Sequence, residues 1–112
     1  MQIVEARTGG VDVLAPRGRI DSTTASLLDE RLAPLVGAER PRLVVDFSNV
    51  DYISSAGLRI MLLAARRVQE AENHLALCGM GAAVRQVFYL AGFLPLFFIC
   101  ASRDEAVTSI AP

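Results

Sequence analysis

Lysine is absent from this chain of 112 residues, and histidine and cysteine are scarce. Asp46 and Asp51 could suggest the acidic pocket of an aspartate-phosphorylated receiver domain, but that pocket needs a lysine and this chain has none. Asp46 is therefore better explained as a polar strand end and Asp51 as a turn cap. The single histidine, His74, is at a predicted strand start, and any serine–histidine catalytic pair would have to use it. Cys78 and Cys100 each end an apolar run, which predicts buried thiols, and their lack of CxxC spacing argues against a metal or redox centre.

Long apolar runs and clustered positive charge are also missing. The longest apolar run, residues 87–100, is interrupted by Gly92 and Pro95, whereas a membrane span needs about 20 apolar residues. No signal peptide is evident at the N-terminus, so we expect a cytoplasmic protein without a membrane span. Eleven arginines face 12 acidic residues, for a net charge of −1. They form no basic stripe, which argues against a nucleic-acid partner.

Enzyme signatures are absent as well. The chain contains no GxSxG nucleophile elbow, no GxxxxGK[ST] phosphate loop and no GxGxxG dinucleotide fingerprint. Residues 79–81 (Gly-Met-Gly) lie between a predicted strand and a predicted helix, where a tight turn is a better explanation than an anion cradle. We therefore expect no catalytic site, no cofactor and no metal.

The hydrophobic pattern predicts one α/β domain over residues 1–112. Hydrophobic residues make up 53% of the chain, and short β-rich segments alternate with stretches of helical periodicity. The predicted order is β-β-α-β-α-β-α-β-α, with a mixed, mostly parallel sheet of about four to five strands flanked by helices. The predicted strands are residues 3–6, 11–14, 43–47, 74–78 and 96–100, and the predicted helices follow residues 21–24, 54–55, 79–81 and 102.

The most informative segment runs from a buried strand through a polar turn to Ser54 and Ser55, where a helix is predicted from about Ala56 to residue 70. A hydroxyl at a helix N-terminus lies beside unpaired N–H groups and the positive end of the helix dipole. It can therefore carry a phosphate or simply cap the helix, and chemistry alone favours the cap. The predicted core face of this helix is Leu58, Met61, Leu62, Ala65 and either Val68 or Gln69.

Residues 46–58 (DFSNVDYISSAGL) resemble the signature D-L-S-x-V-x-[FY]-[IM]-D-S-[ST]-G-L of STAS-domain anti-sigma factor antagonists. Residues 18–25 are similar to that family's G-x-L-D-x-x-[TS]-A, and residues 82–94 to its P-x-V-x-x-[LV]-[LF]-x-x-[AS]-G-L. The resemblance implies a single STAS domain in which Ser55 is the phosphorylated serine, with Ser54 as the second-ranked candidate. Ser54 stands where the signature has Asp, and Ala56 stands where it has a hydroxyl residue.

The resemblance also implies a mechanism. The unphosphorylated protein would bind an anti-sigma factor with a GHKL-type serine kinase fold and free the sigma factor, and phosphorylation at Ser55 would end that binding. A serine phosphatase could reverse the modification. Ile60 and Leu63 are apolar residues among charges, which suits a partner surface and equally suits packing under a neighbouring element. The expected partner-binding residues are Asp21, Ser22, Thr23, Thr24, Ser54, Ser55, Ala56, Gly57, Arg59, Ile60 and Leu63.

Two alternatives remain open at this point. The chain could be a constitutive STAS scaffold, or an accessory subunit of a stressosome-like or transporter complex, in which Ser55 or Thr24 is modified or only caps a helix. A small enzyme with a serine nucleophile ranks third, because its motifs are missing and it would depend on His74.

Overall fold

A computed structural model describes all of residues 1–112. The chain forms six strands and four helices, and a short 3-10 turn at Leu94–Leu96 precedes the last strand. The strands are β1 (Gln2–Thr8), β2 (Val11–Ile20), β3 (Arg42–Asp46), β4 (Asn49–Ile53), β5 (His74–Cys78) and β6 (Phe98–Cys100). The helices are α1 (Ala25–Val36), α2 (Ser55–Glu70), α3 (Ala82–Leu90) and α4 (Arg103–Ile110).

The strands form one mixed sheet in the order β1-β2-β3-β5-β6, and β4 also pairs with β2. Only the β1–β2 hairpin is antiparallel, and all other pairs are parallel. Gly9 and Gly10 close the hairpin with φ of 57° and 81°, values that glycine adopts without a steric cost. The predicted α/β class and mixed, mostly parallel sheet are therefore confirmed.

Strand β4 is the main departure from the sequence prediction, which assigned its residues to a polar turn. It runs end to end with β3 along the same side of β2: residues 12–14 of β2 pair with β3, and residues 17–20 pair with β4. Pro16 lies between these two ladders, so its missing N–H breaks no hydrogen bond on that side. As a result β2 extends to Ile20 rather than ending at residue 14.

Two apolar layers cover the faces of the sheet. The larger core joins one sheet face to α1, α2 and α3, and the smaller core joins the other face to α4. Phe88 of α3 is fully buried in the larger core. Its ring makes edge-to-face contacts with Phe47 at 5.9 Å and with Phe97 at 5.5 Å between centroids. No helix in the structure has both the length and the apolar composition that crossing a membrane requires.

The buried face of α2 is rotated slightly from the predicted one. Leu58, Met61 and Val68 are buried as predicted, but Ala64 takes the place of Ala65, and Leu62 is only half-buried. Gly57 is buried as well, because the first turn of α2 lies directly on the sheet. The sequence pattern missed this glycine because it has no apolar side chain to mark the face.

Candidate functional site

The serine pair lies where two neighbouring parallel strands end. Ile20, the last residue of β2, pairs with Ile53, the last residue of β4. The Ser54 N–H donates a hydrogen bond of 2.7 Å to the Ile20 carbonyl, so the loop after β2 and the start of α2 are directly joined. Asp21–Thr24 and the two serines therefore lie at the same end of the sheet. Carboxyl ends of parallel strands are where open α/β sheets commonly bind ligands.

Ser54 and Ser55 have different structural roles. Ser54 is the N-cap of α2, and its Oγ accepts a hydrogen bond from the Gly57 N–H at 3.3 Å. Ser55 is the first helical residue, one position later, and is exposed. The capping function therefore belongs to Ser54, and the hydroxyl of Ser55 remains accessible at the positive end of the helix dipole.

This division predicts different stabilities for two alanine variants. We expect Ser54→Ala to lower the free energy of unfolding by about 1 kcal/mol, because an N-cap hydrogen bond is lost. Ser55→Ala should change it by no more than about 0.5 kcal/mol, because alanine is the better helix former. Urea unfolding of the two variants beside wild type measures both values. An equal or greater loss in Ser55→Ala would contradict the assignment of the cap.

The loop before α1 is held by Asp21. Its Oδ1 accepts hydrogen bonds from the Thr23 hydroxyl at 2.7 Å, the Thr23 N–H at 3.0 Å and the Thr24 N–H at 3.2 Å. The hydrogen bonds from Thr23 lower the pKa of Asp21 below its usual value. Thr24 Oγ1 in turn donates to the Arg19 carbonyl at 2.8 Å. Ser22 and Thr23 are exposed at this loop, whereas Asp21 and Thr24 are half-buried.

Gly57 allows α2 to sit close to the ends of both strands. A Cβ at this position would lie 2.6 Å from Ile20 Cγ2 and 2.8 Å from Ile53 Cγ1, both closer than real contacts allow. Because these isoleucines are β-branched and fully buried, they have little freedom to move aside. The predicted site residue Gly57 thus positions the serine pair and is not itself exposed.

The exposed stripe of α2 continues away from Ser55. Arg59 and Leu63 follow at intervals of four residues and are exposed, Leu63 at 47%. Ile60 is half-buried and packs against the larger core, so for this residue the packing explanation applies. Ala56 is also half-buried. We use the name Ser55 surface for the exposed residues of the predicted set, which are Ser22, Thr23, Ser55, Arg59 and Leu63.

An unpredicted contact borders this surface. The Arg19 guanidinium lies 4.3 Å from the centroid of the Tyr52 ring, a cation–π arrangement, and its Nε is 3.8 Å from Asp21 Oδ2. Arg19 and Tyr52 are register partners across β2 and β4. The sequence carried no signal for this contact, because β4 was not predicted as a strand.

His74 is at the opposite end of the sheet from the serines. It is the first residue of β5, whereas Ser54 follows the last residue of β4, and both strands run in the same direction. Five residues of β5 extend the strand by about 17 Å. The structure therefore does not bring His74 to Ser55, and a serine–histidine pair is not formed.

A second polar cluster lies at the end of β3, around Asp46. This side chain is only 8% exposed, and it accepts hydrogen bonds from the Ser48 N–H at 2.9 Å and from the Ser48 hydroxyl. Arg103 of α4 donates from Nε to Asp46 Oδ2 at 2.9 Å. Burial alone would raise the pKa of Asp46, but the Ser48 hydrogen bonds and the Arg103 charge outweigh it and lower the pKa. This cluster fastens α4 to the sheet.

The lowered pKa of Asp46 gives a pH-dependent stability. Because the folded state favours the ionised form, the contribution is fully present above the unfolded pKa of about 3.9 and is lost as pH falls through the lower folded value. At pH 7 we expect Asp46→Asn to be less stable than wild type by about 1–3 kcal/mol. Urea unfolding should show this gap closing below about pH 4. A gap that is unchanged at pH 3, or one shared by the exposed Asp29→Asn control, would contradict this account.

The two cysteines are buried core thiols, as predicted. Burial raises the pKa of Cys78 to about 12, with a further contribution from the Asp46 charge. Burial also raises the pKa of Cys100, helped by Glu105. Both thiols are therefore protonated at neutral pH, which makes them poor nucleophiles and poor metal ligands.

The fold and the serine site together define the class of protein. A family model of the STAS domain matches residues 2–106, and the chain belongs to this family. One relative is BtrV of Bordetella bronchiseptica, which is named as a candidate anti-sigma factor antagonist. It is 35% identical to this chain over 109 residues. That match covers 97% of this chain and 94% of BtrV.

Solved structures of the same class share the fold. An anti-sigma factor antagonist from Mycobacterium paratuberculosis superposes with a TM-score of 0.89 at 26% identity, covering 99% of this chain and 94% of that one. SpoIIAA in its unphosphorylated form gives a TM-score of 0.79 at 17% identity, with coverages of 97% and 96%. The phosphorylated form of SpoIIAA from Bacillus gives 0.74 at 16% identity, with coverages of 97% and 99%. These last two similarities concern the fold alone.

Proposed function

We propose that this chain is an anti-sigma factor antagonist in a partner-switching pathway. Unphosphorylated, it binds an anti-sigma factor with a GHKL-type serine kinase fold and so releases the sigma factor. Phosphorylation at Ser55 ends that binding, and a serine phosphatase restores it. The family membership and the names of the relatives support the antagonist role. The phosphorylated form of SpoIIAA is a precedent for modification within this fold.

The observation that carries the proposal is the separation of the two serines. Ser54 is engaged as the helix cap, whereas Ser55 is exposed beside it. In the modification, Ser55 Oγ attacks the γ-phosphorus of ATP, the bond from that phosphorus to the bridging oxygen breaks, and ADP leaves with the hydroxyl proton passing to a base of the kinase. The new phosphoryl group carries about −1.5 to −2 charges and three acceptor oxygens.

The fold is suited to keep its structure after this change. The phosphate is attached at the N-terminus of a helix of 16 residues, where the dipole and the first N–H groups favour an anion. A partner packed on the Ser55 surface would instead have to desolvate a dianion. The switch then acts at the interface and requires no rearrangement inside the domain.

The experiment is phosphorylation with a candidate kinase, chosen from GHKL-type proteins encoded next to this gene. After incubation with ATP, mass spectrometry that localises the phosphate should find it on Ser55. Ser55→Ala should take up none, and Ser54→Ala should still be modified. Phosphate located on Ser54 or Thr24 in the wild-type protein would overturn the assignment of Ser55. Recovery of a transporter ATPase, rather than a kinase-like protein, in a pull-down would favour the accessory-subunit alternative.

A further inference from the structure

Arg59 is an exposed cation on α2 without an ionic partner. The chain forms four ion pairs, and their arginines are Arg7, Arg19, Arg31 and Arg103. Helix α2 itself carries three arginines, and its only acidic residue is Glu70 at the far end. No acidic residue occupies its first turn. The first half of α2 therefore has a positive charge that nothing on the helix balances.

The position of Arg59 relative to Ser55 is the favourable one for an ion pair. The two residues are four apart on a continuous helix, so their Cβ atoms are about 5–6 Å apart on one face. Side chains on a helix lean toward its N-terminus, which directs the Arg59 side chain back over the turn that begins with Ser55. An anion placed four residues before a cation is also the better of the two orders.

Arg19 and Asp21, two other charged residues near the start of α2, already have partners. Arg19 stacks on Tyr52 and pairs with Asp21. The Asp21 carboxylate is held by Thr23 and Thr24. Asp51 is exposed on β4, at the point where the register with β2 shifts. Arg59 is thus the free cation within one helical turn of Ser55.

We propose that Arg59 is the intramolecular partner of the phosphate on Ser55. Before modification its guanidinium is part of the Ser55 surface and is available to an acidic group of the anti-sigma factor. After modification it binds the phosphate in a charge-assisted pair and is withdrawn from the partner. Phosphorylation therefore changes the surface twice, by adding a dianion and by removing a cation. This inference takes the site of modification and the anti-sigma factor partner from the proposed function, whereas the pairing of Arg59 with the phosphate depends on the site of modification alone.

The test uses Ser55→phosphoserine protein made by genetic incorporation, so that no kinase is needed. Titration followed by ³¹P NMR gives the second pKa of the phosphate. At low ionic strength we expect Arg59→Gln to raise this pKa by about 0.2–0.4 unit relative to the Arg59 protein, and Arg59→Lys to retain most of the original value. Near 1 M salt the difference should largely disappear.

Arg66→Gln is the matched control, because it removes the same charge from an exposed position of the same helix. Arg66 lies 11 residues beyond Ser55, or about 16 Å along the helix axis, which is beyond direct contact. A pKa that is unchanged in Arg59→Gln, or that moves equally in Arg66→Gln or more in Arg19→Gln, would overturn the proposal. If no kinase modified Ser55, the proposed function would fail. The titration would still show whether Arg59 pairs with a phosphate at this position.

Discussion

Phosphorylation of Ser55 is expected to weaken binding to the anti-sigma factor about a thousandfold. The reason is that a partner covering the Ser55 surface must desolvate a dianion, and a loss of about 4 kcal/mol corresponds to three powers of ten in affinity. Isothermal titration calorimetry with the unmodified protein, the Ser55→phosphoserine protein and Ser55→Asp would measure the effect. The single charge of Ser55→Asp should give a smaller loss in the same direction.

Ser109→Asp is the control for net charge in this experiment. Ser109 is exposed on α4, which covers the other face of the sheet from α2. The Ser109→Asp variant adds the same charge as Ser55→Asp but far from the Ser55 surface. Its affinity for the anti-sigma factor should therefore equal that of wild type. If Ser55→Asp also bound as tightly as wild type, Ser55 would not lie in the interface.

Gly79→Ala is expected to cause the largest loss of stability among simple variants of the loops, about 3 kcal/mol. Gly79 has a φ of +70°, which costs other residues about 1–2 kcal/mol. An added Cβ would also collide with Ser48 Oγ and lie 2.6 Å from Asp46 Oδ1. Overpacking of this kind costs about 1–3 kcal/mol. The collision would disrupt the cluster that fastens α4.

Gly81→Ala is a matched control two residues further along the same loop. Gly81 has a φ of −71°, and a Cβ there would meet no atom within 4 Å. It is the N-cap of α3, so its replacement should cost less than about 1 kcal/mol. Urea unfolding of both variants separates the two cases. Equal stabilities for Gly79→Ala and Gly81→Ala would show that the Asp46 cluster does not constrain this loop.

Elements with strong local patterns were predictable from the sequence. The hairpin glycines, the helical periodicity and the capping box at α4 are local signals in the sequence, and each of these features is present in the structure. Ser102 Oγ accepts a hydrogen bond from the Glu105 N–H at 3.2 Å, and the Glu105 carboxylate accepts one from the Ala101 N–H at 3.3 Å. Such features depend only on residues a few positions apart, which is why a sequence pattern can identify them.

Features that depend on distant pairing were not predictable. The residues of β4 alternate polar and apolar only imperfectly, and they form a strand because the end of β2 offers them a pairing edge. The predicted strand ended at residue 14, whereas β2 continues to Ile20, and Pro16 lies in a gap between two ladders. Arg103 and Asp46 are 57 positions apart, so no local pattern links them.

The candidate site was predictable in position but not in detail. Sequence chemistry placed both serines at a helix start and left capping as the better explanation. The resemblance to the antagonist signature then selected Ser55. The structure adds a physical reason for that choice, because α2 begins one residue earlier than expected and Ser54 makes the capping hydrogen bond.

The central claim is that this chain frees a sigma factor only while Ser55 is unmodified. The most direct measurement is release of the sigma factor from a preformed complex with the anti-sigma factor, followed by fluorescence anisotropy of labelled sigma factor. The unmodified chain should release the sigma factor at stoichiometric concentration, and the Ser55→phosphoserine protein should leave the complex intact. Release by both forms, or by neither, would contradict the account.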